Sequence, residues 1–268
     1  MTNIEKNCFI YKRAIEYLWE HSQGLTQEIL DSYLIDKRKE TMNEVFHVAV
    51  FSFRDWNAQF AKSGIKEHEE EIKALFKDFD VYSFNQNIAT LPEEELDELF
   101  KKAFKGSNDK YKNVKENVCD SAKFLSEFKN SAEMYAYFDT FDSTKKEERN
   151  KLIRIIAGRI KWWGPALVPN WLKDIGMSNY SKPDQHVIYI ISNLGLSSVD
   201  EYDIIEAVFR IAEDYKSIDS QASAFKLDRI LWLIGSKSRF YNHKNIVTFT
   251  GSREEFVEIV KAELNKAN

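Results

Sequence analysis

Residues 153–187 read IRIIAGRIKWWGPALVPNWLKDIGMSNYSKPDQHV. The segment opens as an apolar helix, breaks at Lys161-Trp162-Trp163-Gly164-Pro165, and resumes as a second helix to about Asp174. Gly176 reads as a left-handed C-terminal cap, because only glycine enters that conformation without a Cβ penalty. A loop follows to Pro183. Asp184 then opens a third helix whose apolar side is Val187, Ile188, Ile190 and Ile191. The pattern is helix, tight turn, helix, short loop, and an aspartate at a helix N-terminus. Taken alone, Asp184 reads as an N-cap, the residue whose carboxylate accepts the first free amides of a helix.

Reading outward, the same helical period recurs with short interruptions. Helices are expected over 8–22, 26–40, 43–62, 65–78, about 91–105, 112–129, 131–139, 145–160, 200–214, 220–234 and 252–266. In 43–62, Phe46, Val50, Phe53 and Phe60 keep a helical period, although Val48 and Val50 also fit a strand. Asn85 to Leu91 reads as a loop, and Thr90 with Glu93 as a capping box beside Pro92. The chain has nine glycines and four prolines, too few breakers for a sandwich or barrel. The expected fold is all-α: two helical subdomains, with a helix-hairpin-helix motif at about 155–174 flanking a central cleft. Residues 1–40 would form an N-terminal extension, 41–240 the core, and 241–268 a C-terminal helix packed back on it.

Composition excludes several functions. No stretch approaches the roughly 18 apolar residues of a membrane span, and the polar start has no signal-peptide character, so a cytoplasmic protein without membrane contact is expected. Cys8 and Cys119 are too few for a disulfide framework or an iron–sulfur cluster. His21, His47, His68, His186 and His243 show no metal-ligand spacing, and no phosphate-binding glycine loop occurs. The formal net charge of −5 counts against nucleic acid, which favours a basic surplus. Basic clusters nevertheless occur at Lys101–Lys102–Lys105, Lys110–Lys112–Lys115 and Arg154–Arg159–Lys161. Each reads equally as a solvated helix face.

Residues 153–187 resemble the helix-hairpin-helix DNA glycosylase superfamily, which includes endonuclease III and the 8-oxoguanine and 3-methyladenine glycosylases. The family hairpin runs Leu-Pro-Gly-Val-Gly-x-Lys-Thr-Ala and is followed by Val-Asp-x-His and an apolar residue. Gly164 takes the second hairpin glycine and Val168 the closing alanine. Asp184, His186 and Val187 take the Asp-x-His-apolar run. Gly164 lies 20 positions before Asp184 and Ala166 lies 18 before it, separations that fit the family without a gap. Trp162 replaces the first hairpin glycine, so a turn of different shape is expected. Ala166 stands where bifunctional members carry their lysine, and without an amine no Schiff base forms there. No cysteine cluster follows.

The resemblance implies a monofunctional glycosylase that hydrolyses the N-glycosidic bond of a damaged or modified base in double-stranded DNA. Asp184 would be the catalytic carboxylate. It would stabilise positive charge on the sugar and direct a water to it. The hairpin, with Trp162, Trp163, Gly164 and Ala166, would bind the DNA backbone, and His186 would contact a phosphate. Candidate pocket residues for a flipped base are Trp56, in the polar and aromatic run Arg54-Asp55-Trp56-Asn57, with Asn170, Asp228 and Trp232. Core packing is the competing reading of each tryptophan. No cofactor is required; a monovalent cation on the hairpin carbonyls is consistent with the family. A monomer is expected. Two alternatives stay open. One is a defence enzyme excising bulky modified bases from phage DNA. The other is a non-catalytic helical DNA-binding protein.

Overall fold

The computed structural model describes residues 1–52, 69–103, 110–236 and 246–267. The fold is all-α. In chain order the helices are α1 (Asn3–Glu20), α2 (Gln27–Tyr33), α3 (Met42–Ser52), α4 (Glu69–Leu75), α5 (Val81–Thr90), α6 (Glu93–Ala103) and α7 (Lys110–Leu125). They continue with α8 (Ser131–Phe138), α9 (Lys146–Ala157), α10 (Leu167–Asp174), α11 (Gln185–Asn193), α12 (Glu201–Tyr215), α13 (Ala224–Gly235) and α14 (Arg253–Ala267). Two-residue strands β1 (Ser22–Gln23) and β2 (Thr248–Phe249) pair antiparallel, Ser22 opposite Phe249. No helix among the described residues is long and apolar enough to cross a membrane.

The chain forms two compact units. One joins Met1–Lys37 to Gly176–Asn268; the other is Arg38–Ile175. The first 37 residues are therefore built into the C-terminal half, which replaces the expected division at 40 and 240. The physical reason is the apolar stripe of α1. Ile10, Ala14 and Leu18, spaced at four residues, are fully buried in one cluster with Ile204 and Val208 of α12, Leu227 and Leu231 of α13, and Phe256 and Val260 of α14. Burying each such aliphatic side chain is worth about 1.5–3 kcal/mol. Tyr11 stacks on Tyr215 at 4.3 Å between ring centres. Thr2 and Glu5 close a capping box at the start of α1.

The unit of residues 38–175 has an aromatic core. Phe76 meets Phe46, Phe84 and Phe100 at centroid distances of 6.0, 5.1 and 6.0 Å. A second group joins Phe124 to Phe138, Phe138 to Trp171 and Trp171 to Trp163. Tyr135 ties together the two ends of this unit. Its hydroxyl donates to the Ile175 carbonyl at 2.7 Å and accepts from the Lys39 amide at 3.1 Å. Burial pushes that phenol up to about 12.

Several boundaries differ from the expected ones. Asn85–Leu91 is helical, not a loop: α5 begins after Asp80, whose carboxylate caps it by accepting from the Tyr82 and Ser83 amides. Thr90 ends α5 instead of opening α6. Its hydroxyl donates back to the Gln86 and Asn87 carbonyls, and α6 starts at an acidic first turn, Glu93–Glu95. The second helix stops at Tyr33. The 43–62 segment is helical as far as Ser52, and its later part, with Trp56, lies outside the described residues. Gly176 takes the expected positive φ, +96°.

Gly24 directly follows β1. It has φ +76°, and an added Cβ would lie 2.1 Å from the Ile246 carbonyl oxygen. Backbone cannot yield there as a side chain could. Gly24→Ala is expected to destabilise the protein by at least about 2 kcal/mol. Urea unfolding measures this; an unchanged midpoint would contradict the close approach.

Candidate functional site

The candidate residues fall in two sets, one in each unit. In the unit of residues 38–175, α9 and α10 are joined by residues 158–166. Trp162 sits in this turn at φ +68°. A left-handed conformation costs a non-glycine residue about 1–2 kcal/mol, so the turn is held from outside. The clamp is one face of α7. Glu116 accepts the Trp162 indole N–H at 3.0 Å and, through its other oxygen, the Lys161 ammonium at 3.0 Å. The Asn117 amide donates to the Lys161 carbonyl at 3.0 Å, and Asp120 accepts the Lys161 amide at 3.2 Å. Trp162 therefore keeps a left-handed turn without glycine, the residue 47% exposed.

Gly164 contrasts with it. Its φ is not positive, and an added Cβ would meet no described atom within 4 Å. Neither conformation nor packing calls for glycine there; the missing side chain leaves backbone open to close approach. The Gly164 carbonyl accepts the Leu167 and Val168 amides and so starts α10. The Gly164 and Ala166 amides have no acceptor among the described residues. The Ile160 and Lys161 carbonyls also accept protein donors. A monovalent cation on the hairpin would have to share these oxygens.

Other expected contacts here belong to the core. Trp163 is buried, 5.2 Å from Trp171, so its side chain does not offer itself to DNA. Asn170 is buried on α10. The Trp163 Nε1 and Asn170 Nδ2 donors have no partner among the described residues, a cost of about 1–3 kcal/mol each. The cations near the turn are paired: Arg159 with Glu127 and Lys161 with Glu116. Burial lifts the Cys119 thiol to about 11, which keeps it from acting as a nucleophile.

The second set belongs to the other unit. Asp184 caps α11: its Oδ1 accepts the His186 amide at 2.8 Å and the Val187 amide at 3.0 Å. Its Oδ2 takes no hydrogen bond among the described residues, and the side chain is half-buried. The N-cap reading of Asp184 thus holds, and it occupies only one oxygen. The loop before it is stitched to α13. The Phe225 amide donates to the Ser178 carbonyl at 2.9 Å, and the Lys182 amide to Asp228 Oδ1 at 2.7 Å. Asp228 is a buried anchor of this loop, not an open pocket wall. Trp232 is half-buried against the core of its unit.

Around His186 the structure adds two residues with no expected role. Arg253, first in α14, places Nη1 3.2 Å from His186 Nδ1. Gly235, last in α13, lies so close that an added Cβ would stand 2.4 Å from the His186 Cβ. Neither carries a local sequence signal, since both meet His186 only through tertiary packing. Glu116, Asn117 and Asp120, by contrast, share one face of a helix. No three His, Cys, Asp or Glu side chains among the described residues are grouped as metal ligands.

The α7 clamp depends on charge. The Lys161 ammonium and Trp162 N–H hold the Glu116 carboxyl below its ordinary range. A group lowered in the folded state contributes fully above the ordinary carboxyl range and loses that contribution as pH falls through its lowered value. Glu116→Ala should cost about 0.5–1.5 kcal/mol at pH 7, a modest value because the site is part-exposed. Denaturant titrations of both proteins should show that difference narrowing at pH 3; an equal difference at both pH values would remove charge as the cause.

No family model, no curated protein and no solved structure matches this chain, and the residues described above carry the functional reading alone.

Proposed function

We propose that this protein is a monofunctional DNA glycosylase of the helix-hairpin-helix kind, acting on a damaged or modified base in duplex DNA. The observation that carries the reading is Asp184, a helix-capping carboxylate with one oxygen unbonded among the described residues, 20 residues after a glycine that neither its φ nor its described neighbours require. The cap fixes the direction of the carboxylate without consuming it. The turn brings amides at Gly164 and Ala166 that have no acceptor among the described residues, the type of donor that receives phosphate oxygens.

The reaction follows from these groups. The bond between C1′ and the base nitrogen breaks, and its electron pair leaves with the base. Positive charge grows on the sugar, where the Asp184 carboxylate stabilises it. A water oxygen bonds to C1′ and passes its proton to Asp184, and the departing base takes up a proton from solvent. The products are free base and an abasic site in an unbroken strand. Ala166 offers no amine. The described lysines nearest it in sequence are paired: Lys161 with Glu116, and buried Lys173 with Asp174. Hydrolysis without strand cleavage is the outcome these residues support.

A second reading has a specific observation in its favour. Asp184 already has a structural role as a helix cap, so a helical duplex-binding module without chemistry could keep the same residue.

Asp184→Asn separates the two. Asparagine caps a helix about as well as aspartate, so stability should hardly change. Base release from a panel of damaged and modified duplexes should fall roughly 10²–10⁴-fold in the variant. Release by wild type that vanishes in Asp184→Asn, with no borohydride-trapped adduct, supports the glycosylase. Equal duplex binding by both proteins with no release from any duplex moves the assignment to the binding module.

A further inference from the structure

The chain passes between its two compact units twice, at Lys37–Arg38 and at Ile175–Gly176. On the side of residues 38–175 both crossings are tied down together. Arg38 pairs with Asp139 through two bonds, Nη1 to Oδ2 at 2.8 Å and Nη2 to Oδ1 at 2.6 Å, and its guanidinium lies 4.7 Å over the Tyr135 ring. The Lys39 amide donates to the Ile175 carbonyl at 3.2 Å, which holds the two crossing segments to each other. The buried Tyr135 joins them a second time: its hydroxyl accepts from the Lys39 amide at 3.1 Å and donates to the Ile175 carbonyl at 2.7 Å. Tyr135 belongs to α8 and Asp139 follows its last residue, so α8 is the anchor on this side.

In the other unit the anchor is the first turn of α13. The Ser223 hydroxyl caps that helix by accepting the Lys226 amide at 3.2 Å, and it donates to Asp36 Oδ2 at 3.1 Å, just before the first crossing. The Phe225 amide donates to the Ser178 carbonyl at 2.9 Å, just after the second crossing. Every bond named here lies within a single unit. Lys37 is then the one residue between the anchors of the first crossing, and Gly176 and Met177 are the two residues between those of the second. Gly176 has φ +96°, a region that glycine enters without a Cβ penalty, and it lends its segment the widest range of backbone angles. Hinges are built in this way: a few residues at element ends take up the dihedral change between parts that stay rigid.

We infer that Lys37 and Gly176–Met177 form a two-segment hinge between the units, with α8 and the first turn of α13 as its fixed sides and the Tyr135 hydroxyl as the pin that holds both segments. Two segments pinned at one place confine the motion to bending and twisting about that place, where a single linker would let the units tumble. The hinge does not rest on the glycosylase reading. It bears on that reading because the turn at 158–166 and Asp184 belong to different units, so a ligand that engages both must act through these crossings.

Distances between spin labels in the full chain test this. Cys8→Ala and Cys119→Ala remove the native thiols. Lys151→Cys on α9 with Lys261→Cys on α14 then places one label in each unit, and Lys151→Cys with Glu94→Cys on α6 places both within residues 38–175; all three positions are exposed. The between-unit pair should give the broader distance distribution. Tyr135→Phe keeps the ring and the bond from Lys39 to Ile175 but removes the pin, so it should broaden the between-unit distribution further and leave the within-unit one unchanged. Arg38→Ala should also broaden it; its ion pair is part-exposed, so this variant reads the hinge where Tyr135→Phe folds poorly. Broadening confined to the between-unit pair supports the hinge and its pin. A between-unit distribution as narrow as the within-unit one, unmoved in both variants, overturns the hinge. A broad between-unit distribution that neither variant changes overturns the pin. Broadening of both pairs in Tyr135→Phe, without any in Arg38→Ala, traces the effect to loosened packing and also overturns the pin.

Discussion

Oδ1 of Asp184 accepts two amides, and much of its unit follows from that contact. The cap sets where α11 begins. It thereby sets which residues of α11 turn inward, and Val187, Ile190 and Ile191 join the core shared with α1, α12, α13 and α14. It also decides where His186 stands, between Gly235 and Arg253. Asp228 supports the cap from behind by holding the Lys182 amide, so the loop cannot swing the carboxylate away. A helix cap of this kind is worth about 0.5–2 kcal/mol, small beside the core but concentrated on one direction. A carboxylate has two oxygens and the cap uses one, so the proposed catalytic role is compatible with the cap.

The turn between α9 and α10 solves a different problem. A bulky residue occupies a left-handed position, and the energy comes from α7. Glu116 takes two donors from the turn, while Asn117 and Asp120 hold the backbone on either side of the Lys161 peptide. Together these bonds offset the roughly 1–2 kcal/mol of strain at Trp162. Trp171 anchors the other end of the turn, donating its indole N–H to the Val45 carbonyl at 3.4 Å while its ring packs on Trp163 and Phe138. The two neighbouring tryptophans of the turn thus divide their work. Trp162 is a surface strut and Trp163 a core filler.

What could be read from the sequence follows the reach of each interaction. Most helices were legible because their apolar residues keep a helical period, as Phe46 and Val50 do in α3. The Asp184 cap was legible because Pro183 and the apolar residues after it mark a helix start. Thr90 misled because a threonine hydroxyl can cap the next helix or bond back to its own, and here it bonds to Gln86 and Asn87. Asn85 and Asn87 hid α5 behind turn-like side chains. The left-handed residues Lys77, Asp78 and Phe79 include no glycine to announce them. The return of the first helix to the C-terminal half, and of Arg253 to His186, depends on packing between residues far apart in sequence. No local pattern encodes such a meeting. The hairpin as a DNA-binding element rests still on spacing and resemblance.

Net charge bears on this reading less than its sign suggests. A chain of net charge −5 gives up long-range steering toward DNA, which is mainly an effect on association rate. Affinity depends on the donors that reach the phosphates. In the proposed complex the donors at the turn would be backbone amides, whose dipoles persist whatever the surrounding carboxylates do. Lys161 and Arg159 are engaged by Glu116 and Glu127, yet exposed ion pairs are worth only about 0–1 kcal/mol. A phosphate offering charge-assisted hydrogen bonds competes for such a cation at small cost. Glu116 would resist most, because releasing it also frees the strained Trp162. The residue that shapes the turn would therefore also set a threshold for the proposed phosphate contact.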